Sequence, residues 1–232
     1  MDYGTTEMPS PLLTIDANHP EPELLAQAAD FLRRGGVIAA PTDTVYGLLA
    51  NPADPAAVQR IYEIKGRDFR RPLILLVASI AMAEQYCSRL PDLARTAMQH
   101  FWPGALTIIL ERSAAVPDHL LAGGNTIGLR MPNHAVPLGL INTLGFPLAS
   151  TSANRSTQPA ATCASQIAVA FPAELDLIID SGAAPLAQES SIVDFTPTLA
   201  GDPPRLLREG AVARGRLARL LGPIAPEKPG DS

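Results

Sequence analysis

The sequence predicts an α/β fold built on a twisted sheet of mixed parallel and antiparallel strands flanked by helices. Apolar runs of strand length alternate with stretches of helical periodicity, the pattern of layered α/β proteins. Several strands follow one another too closely for helical crossovers, so part of the sheet must be antiparallel. A third observation locates a site. The apolar run 37–40 gives way to Pro41-Thr42-Asp43-Thr44-Val45-Tyr46-Gly47, polar side chains between a proline and a glycine at a strand end, where open α/β sheets bind ligands.

Taken in order, residues 1–18 form a lead-in with an edge strand at 12–15. Residues 20–34 form a helix in which Leu24, Leu25, Ala28, Phe31 and Leu32 share a face and Gly35-Gly36 ends the run. The strand at 37–40 then enters the polar turn. Asp54-Pro55 is a helix start, a capping carboxylate followed by proline at the first position. That helix turns Val58, Ile61, Tyr62 and Ile64 inward and ends at Lys65-Gly66. The continuous apolar run 73–78 reads as a strand covered on both faces.

Residues 79–101 are helical with a break at Leu90-Pro91, followed by strands at 105–110 and 126–131. Arg130 interrupts the second of these and reads equally as an edge charge or a cavity residue. A helix at 133–144 and a short strand at 147–149 come next. The hydroxyl-rich Ser150-Thr151-Ser152-Ala153-Asn154 reads as a loop with local side-chain to backbone bonds. A helix at 162–171, a strand at 175–180, a strand pair at 191–195 and 205–207 and an Arg-rich helix at 212–221 complete a single domain spanning 19–221. The Pro-bearing stretch 222–232 is expected to be a mobile tail.

The chain has 232 residues, 47% hydrophobic and 18% charged, which suits one globular domain. A net charge of −5 weighs against broad binding to nucleic-acid duplexes. Cys87 and Cys163 lack CxxC spacing, and no His pairs with another His or Cys at metal-ligand spacing. His134, after Pro132-Asn133, reads as a surface or capping residue rather than a base. With no export signal and no apolar run of membrane-spanning length, cytoplasm is the expected compartment. GxxxxGK[ST], GxGxxG and GxSxG motifs are all absent.

The basic residues are unusual. There are sixteen arginines and two lysines, and with Lys228 in the expected tail, Lys65 is the one lysine of the domain. Alone it reads as a solvated residue in a last helical turn. Its company points elsewhere, because Arg60, Lys65, Arg67, Arg70 and Arg71 face only Glu63 and Asp68. A local cation excess in an acidic chain fits a compact polyanion. With no evident nucleophile, the residues suit a reaction in which the protein aligns substrates and stabilises developing charge, as in phosphoryl or nucleotidyl transfer.

PTDTVYGL, YEIKGR and RPLILLV, together with WPGALT, GLRMP, STSAN, ESSIVD and REG in that order, resemble the YrdC/Sua5 family of threonylcarbamoyl-adenylate synthases. The resemblance runs from about residue 20 to 215. It implies a concave cationic cavity and the condensation of L-threonine, bicarbonate and ATP to threonylcarbamoyl-AMP and pyrophosphate. That product serves threonylcarbamoyladenosine modification of transfer RNA. Mg²⁺ is expected, bound mainly through ATP phosphates.

Motif by motif, Lys65 and Arg67 are the implied catalytic residues, holding phosphates and developing charge. Arg71, Thr126, Ser152, Asn154 and Arg208 join them around ATP. Thr44, Tyr46, Arg130, Ser150 and Ser190 are the implied threonine pocket. A handover to a threonylcarbamoyl-transferase complex and some contact with transfer RNA are compatible with the family; a membrane is not implied. Leu76 stands where many relatives have His, and Ser191 where Thr is common. The chain resembles the short form, without the second domain of the longer branch. An RNA-binding module, or a relative acting on another amino acid or carbamoyl substrate, are the alternatives. Sparse aromatics, 5% of the chain, disfavour base stacking.

Overall fold

The computed structural model describes residues 9–226. In chain order these form β1 (Leu12–Thr14), α1 (Pro22–Arg33), β2 (Ile38–Ala40), β3 (Gly47–Ala50), α2 (Pro55–Lys65) and β4 (Ile74–Leu76). There follow α3 (Ile80–Gln85), α4 (Asp92–Phe101), β5 (Leu106–Glu111), β6 (Thr126–Arg130), α5 (Ala135–Leu144) and β7 (Leu148–Ser152). The last third adds α6 (Ala164–Ala170), β8 (Leu177–Asp180), β9 (Ser191–Asp194), β10 (Arg205–Arg208), α7 (Arg214–Leu221) and β11 (Ala225–Pro226).

Among the described residues the strands form one sheet in the order β1-β8-β2-β3-β7-β4-β6-β5-β9-β10-β11. Close sequence neighbours such as β2–β3, β5–β6 and β9–β10 pair antiparallel, whereas β1–β8, β2–β8, β4–β6 and β5–β9 pair parallel. The expected mixed sheet is therefore present. The residues at 12–14 form its edge strand.

Alternate residues of the central strands enter two separate cores. Ile38, Ala40, Leu49, Leu76 and Leu148 pack with α1 and α5 residues such as Leu25, Leu32 and Leu140. Val37, Ala39, Leu48 and Leu75 pack into the other core with Ile61 of α2, Met98 of α4 and Leu217 of α7. Burial on both faces explains why β2 and β3 carry no polar side chain.

α2 begins as its sequence predicts: Asp54 Oδ1 accepts from the backbone N–H groups of Ala56 (2.9 Å) and Ala57 (3.2 Å). It ends on Gly66 in the left-handed region (φ 59°), which lets Arg67 N–H reach back to the Tyr62 carbonyl (2.9 Å). His134 caps α5, its Nδ1 accepting from Val136 N–H at 3.2 Å.

Three features differ from the sequence reading. The polar turn is itself buried, residues 36–50 without interruption, and leads straight back into the sheet as β3, a strand the sequence reading does not assign. Ser150, Thr151 and Ser152 belong to β7 rather than a loop, paired with Leu49, Leu48 and Gly47. The expected tail contributes β11, parallel to β10, while residues 227–232 and 1–8 lie outside the described residues. Among the described residues no helix is long and apolar enough to cross a membrane.

Candidate active site

A row of paired residues crosses the sheet: Ile109 of β5, Gly128 of β6, Ile74 of β4 and Ser150 of β7. Helices α1 and α5 cover only part of this face, and the row floors a cavity of about 980 Å³ where they do not. Gly128 is required for that floor, since a Cβ there would meet Ile74 Cγ2 at 2.7 Å and Ile109 Cδ1 at 3.1 Å. The size lies at the upper end of small-molecule sites.

Eleven of the twelve residues singled out from the sequence line this cavity: Thr44, Tyr46, Lys65, Arg67, Arg71, Arg130, Ser150, Ser152, Asn154, Ser190 and Arg208. Thr126 is the exception. It opens β6 opposite Glu111, two residues short of Gly128, and is not part of the lining. The lining also contains Arg70, Asp68 and Glu189, as well as Leu76, whose apolar side chain is fully buried.

Lys65 is not solvated; it is 2% exposed. The last turn of α2 aims it at the end of β7, where Nζ donates to the carbonyls of Ser152 and Asn154 (2.9 Å to the latter) and to Asn154 Oδ1 (2.8 Å). Three acceptors match the three N–H groups of an ammonium. Burial pushes the Lys65 pKa down to about 8, the Arg67 charge adds to that shift, and Glu189 opposes it. The backbone beside it is clamped, because Arg155 Nη1 donates to Ile64 O (2.5 Å) and Ser156 N–H donates to Lys65 O (2.8 Å).

Arg67 follows immediately, its Nε donating to Arg71 O (3.2 Å), Nη1 to Thr151 Oγ1 (3.4 Å) and Nη2 to Pro72 O (3.3 Å). Burial also lowers its pKa, although a guanidinium keeps its charge in proteins. Arg71 is exposed at the rim. Across the cavity Arg208 donates from Nη1 to Glu189 (2.8 Å), from Nε to Ser190 O (3.0 Å) and from Nη2 to Ser190 Oγ (3.3 Å).

At the other end Arg130 is a cavity residue, 5% exposed. Its Nη2 donates to Asp43 Oδ1 (2.5 Å), Nη1 to Thr44 Oγ1 (2.8 Å) and Nε to Gly104 O (3.0 Å). Burial lowers the Arg130 pKa and Asp43 counters the shift. Tyr46 is fully buried, donates to Gly182 O (2.7 Å) and has its pKa pushed up to about 12 by burial, so it is a neutral donor at any ordinary pH. Among the described residues the Ser150 hydroxyl makes no hydrogen bond, though the residue is only 5% exposed. A hydroxyl so placed on a cavity wall is available to a ligand.

The sequence reading did not single out Asp43 or Glu189. For Asp43 the signal was available: a carboxylate inside an apolar run and an arginine breaking an apolar strand each demand a partner if buried.

A family model described as telomere recombination, Sua5/YciO/YrdC, matches residues 30–210. A threonylcarbamoyl-AMP synthase of Bacillus subtilis is 39% identical over 215 residues, which are 92% of this chain and 60% of that protein. A putative threonylcarbamoyl-AMP synthase of Mycobacterium leprae is 36% identical over 200 residues, covering 86% and 89% of the two chains. The structure of Pyrococcus abyssi Sua5 complexed with L-threonine matches with a TM-score of 0.88 at 36% identity, over 93% of this chain and 62% of that one. The chain thus spans about three-fifths of the Bacillus and Pyrococcus proteins.

Proposed function

The chain belongs to the Sua5/YciO/YrdC family, and from that premise we propose that it makes threonylcarbamoyl-AMP from L-threonine, bicarbonate and ATP. The threonine amine condenses with bicarbonate, losing water, to give a carbamate. A carbamate oxygen then attacks the α-phosphorus of ATP while the bond to the bridging oxygen of the β-phosphate breaks, and pyrophosphate leaves.

The observation that supports this reading is that one cavity is lined both by a cluster of cations, Lys65 and Arg67 among them, and by small hydroxyl residues around Arg130. Six cationic side chains among the lining residues (Lys65, Arg67, Arg70, Arg71, Arg130, Arg208) outnumber two carboxylates (Asp68, Glu189), which supports a cationic recess suited to a polyanion. Lys65 and Arg67, with Arg71 and Arg208, take the phosphates and the charge that develops on them. Ser152 and Asn154 hold the Lys65 ammonium in place. Thr126 would be reached only by a nucleotide extending past Gly128. Arg130 takes the amino-acid carboxylate, and Thr44, Ser150 and Ser190, beside Tyr46, read the rest of the molecule.

Among the described residues no group of three His, Cys, Asp or Glu forms a metal cage. Mg²⁺ carried on ATP would neutralise phosphate charge and orient the triphosphate. The readings as an RNA-binding module and as a relative with another substrate are weaker. Tyr46 is the one aromatic among the lining residues, and its ring is fully buried rather than presented for stacking. The product, a reactive mixed anhydride, would pass to a threonylcarbamoyl-transferase, and contact with transfer RNA is not required of this chain.

Purified protein given Mg²⁺-ATP is expected to release pyrophosphate only when both threonine and bicarbonate are present, and to turn over serine more slowly. Lys65→Ala should lower that rate by roughly 100-fold or more. Pyrophosphate release indifferent to threonine would contradict the proposal.

A further inference from the structure

The threonine end contains a hydrogen-bond chain whose direction is fixed by its geometry. Thr42 Oγ1 lies 2.7 Å from Val45 O, a pure acceptor, so the one proton of Thr42 points there. Thr42 Oγ1 is also 2.9 Å from Thr44 Oγ1 and accepts from Thr44 N–H at 3.1 Å. With its proton committed, Thr42 can only accept from the Thr44 hydroxyl. Thr44 in turn accepts from Arg130 Nη1 (2.8 Å), whose Nη2 is held by Asp43.

The count of donors and acceptors then closes. Thr42, 3% exposed, has used its donor and both lone pairs and has nothing left for a ligand. Thr44 has used its proton and one lone pair, and keeps one acceptor site. Arg130 has three of its five N–H groups engaged and keeps two. An acceptor-only hydroxyl therefore sits within a hydrogen bond of an arginine with free donors.

We propose that Thr42 is a positioning residue that sets Thr44 as an obligate acceptor, so that the Arg130–Thr44 pair reads a carboxylate and the amine next to it. This deepens the proposed function and rests on it: the ligand class is an α-amino acid with a free amine. Removing the Thr42 hydroxyl frees the Thr44 proton to point into the cavity, where it opposes the ligand's own N–H donors.

The test is direct binding, without turnover, of L-threonine and of 3-hydroxybutanoate, which lacks the α-amine. Titrations use the full chain as wild type, Thr42→Ser, which keeps the hydroxyl, and Thr42→Val, which keeps the shape. Thr42→Val is expected to bind threonine about tenfold more weakly than wild type, with Thr42→Ser restoring most of the loss and 3-hydroxybutanoate unaffected in all three. Equal threonine affinity in the Val and Ser variants overturns the proposal, and so does an equal loss for both ligands. If Thr42→Val does not fold, wild type decides: a preference of about tenfold or more for threonine over 3-hydroxybutanoate supports the Thr44 acceptor, and equal affinity overturns it. Wild type that binds no threonine sinks the proposed function itself, a failure distinct from either.

Discussion

The two ends of the cavity keep equally buried cations by different means. Arg130 has a carboxylate partner, Asp43, itself 5% exposed and also accepting from Asn133 N–H (3.1 Å). Lys65 has no carboxylate in hydrogen-bond contact and is held by carbonyl oxygens of β7 and the residues after it. Dipoles hold a charge in position without cancelling it, whereas a counter-ion cancels it. At the Arg130 end Asp43 offsets the buried guanidinium, with Arg208 acting on it as a further positive charge, and the proposed occupant there is a small zwitterion. The Lys65 end, whose proposed occupant is a polyanion, holds its ammonium on carbonyl dipoles at the cost of a depressed pKa.

The largest expected difference is in stability. Arg130→Ala leaves Asp43 buried without a counter-charge and should cost about 3–5 kcal/mol of unfolding free energy. Lys65→Met removes a desolvated ammonium and strands only carbonyl acceptors, so it should cost about 1 kcal/mol. Denaturant titration measures both, and equal losses would erase the distinction between the ends.

A smaller effect is expected in proton linkage. The Lys65 pKa of about 8 lies below its ordinary value, so the free protein loses this charge as pH rises through 8. Bound phosphates favour the ammonium and raise that pKa, which means ATP binding near pH 8 takes up a fraction of a proton and weakens at higher pH. Calorimetry in two buffers of different ionisation enthalpy reads the uptake. It should vanish in Lys65→Met, and its absence from wild type would argue against Lys65 meeting the phosphates.

What the sequence revealed and what it concealed follow from the same division. α2 was legible from Asp54-Pro55 at one end and Lys65-Gly66 at the other because capping is local chemistry. β4 was legible as the continuous apolar run 73–78, and β6 as an apolar run broken only near its end by Arg130. β3 was missed because its four residues, Gly47–Ala50, follow directly on a polar turn and are too few to show a pattern of their own. In β7 the hydroxyls of Ser150 and Ser152 look like a loop because one face of a central strand opens on the cavity rather than on a core. The burial of Lys65 had no local signal at all; it depends on β7, some ninety residues away. Asp43 and Arg130 were each visible as anomalies, but only the fold pairs them.

The division of the cavity is tested most directly by titrating Mg²⁺-ATP and L-threonine separately into Lys65→Ala and Arg130→Ala protein. Lys65→Ala should lose ATP affinity by about tenfold or more and keep threonine binding, while Arg130→Ala, at a temperature where it remains folded, should do the reverse. If each substitution weakened both ligands alike, the two ends would not be separate sites, and a cavity split between polyanion and amino acid would be the wrong picture of this protein.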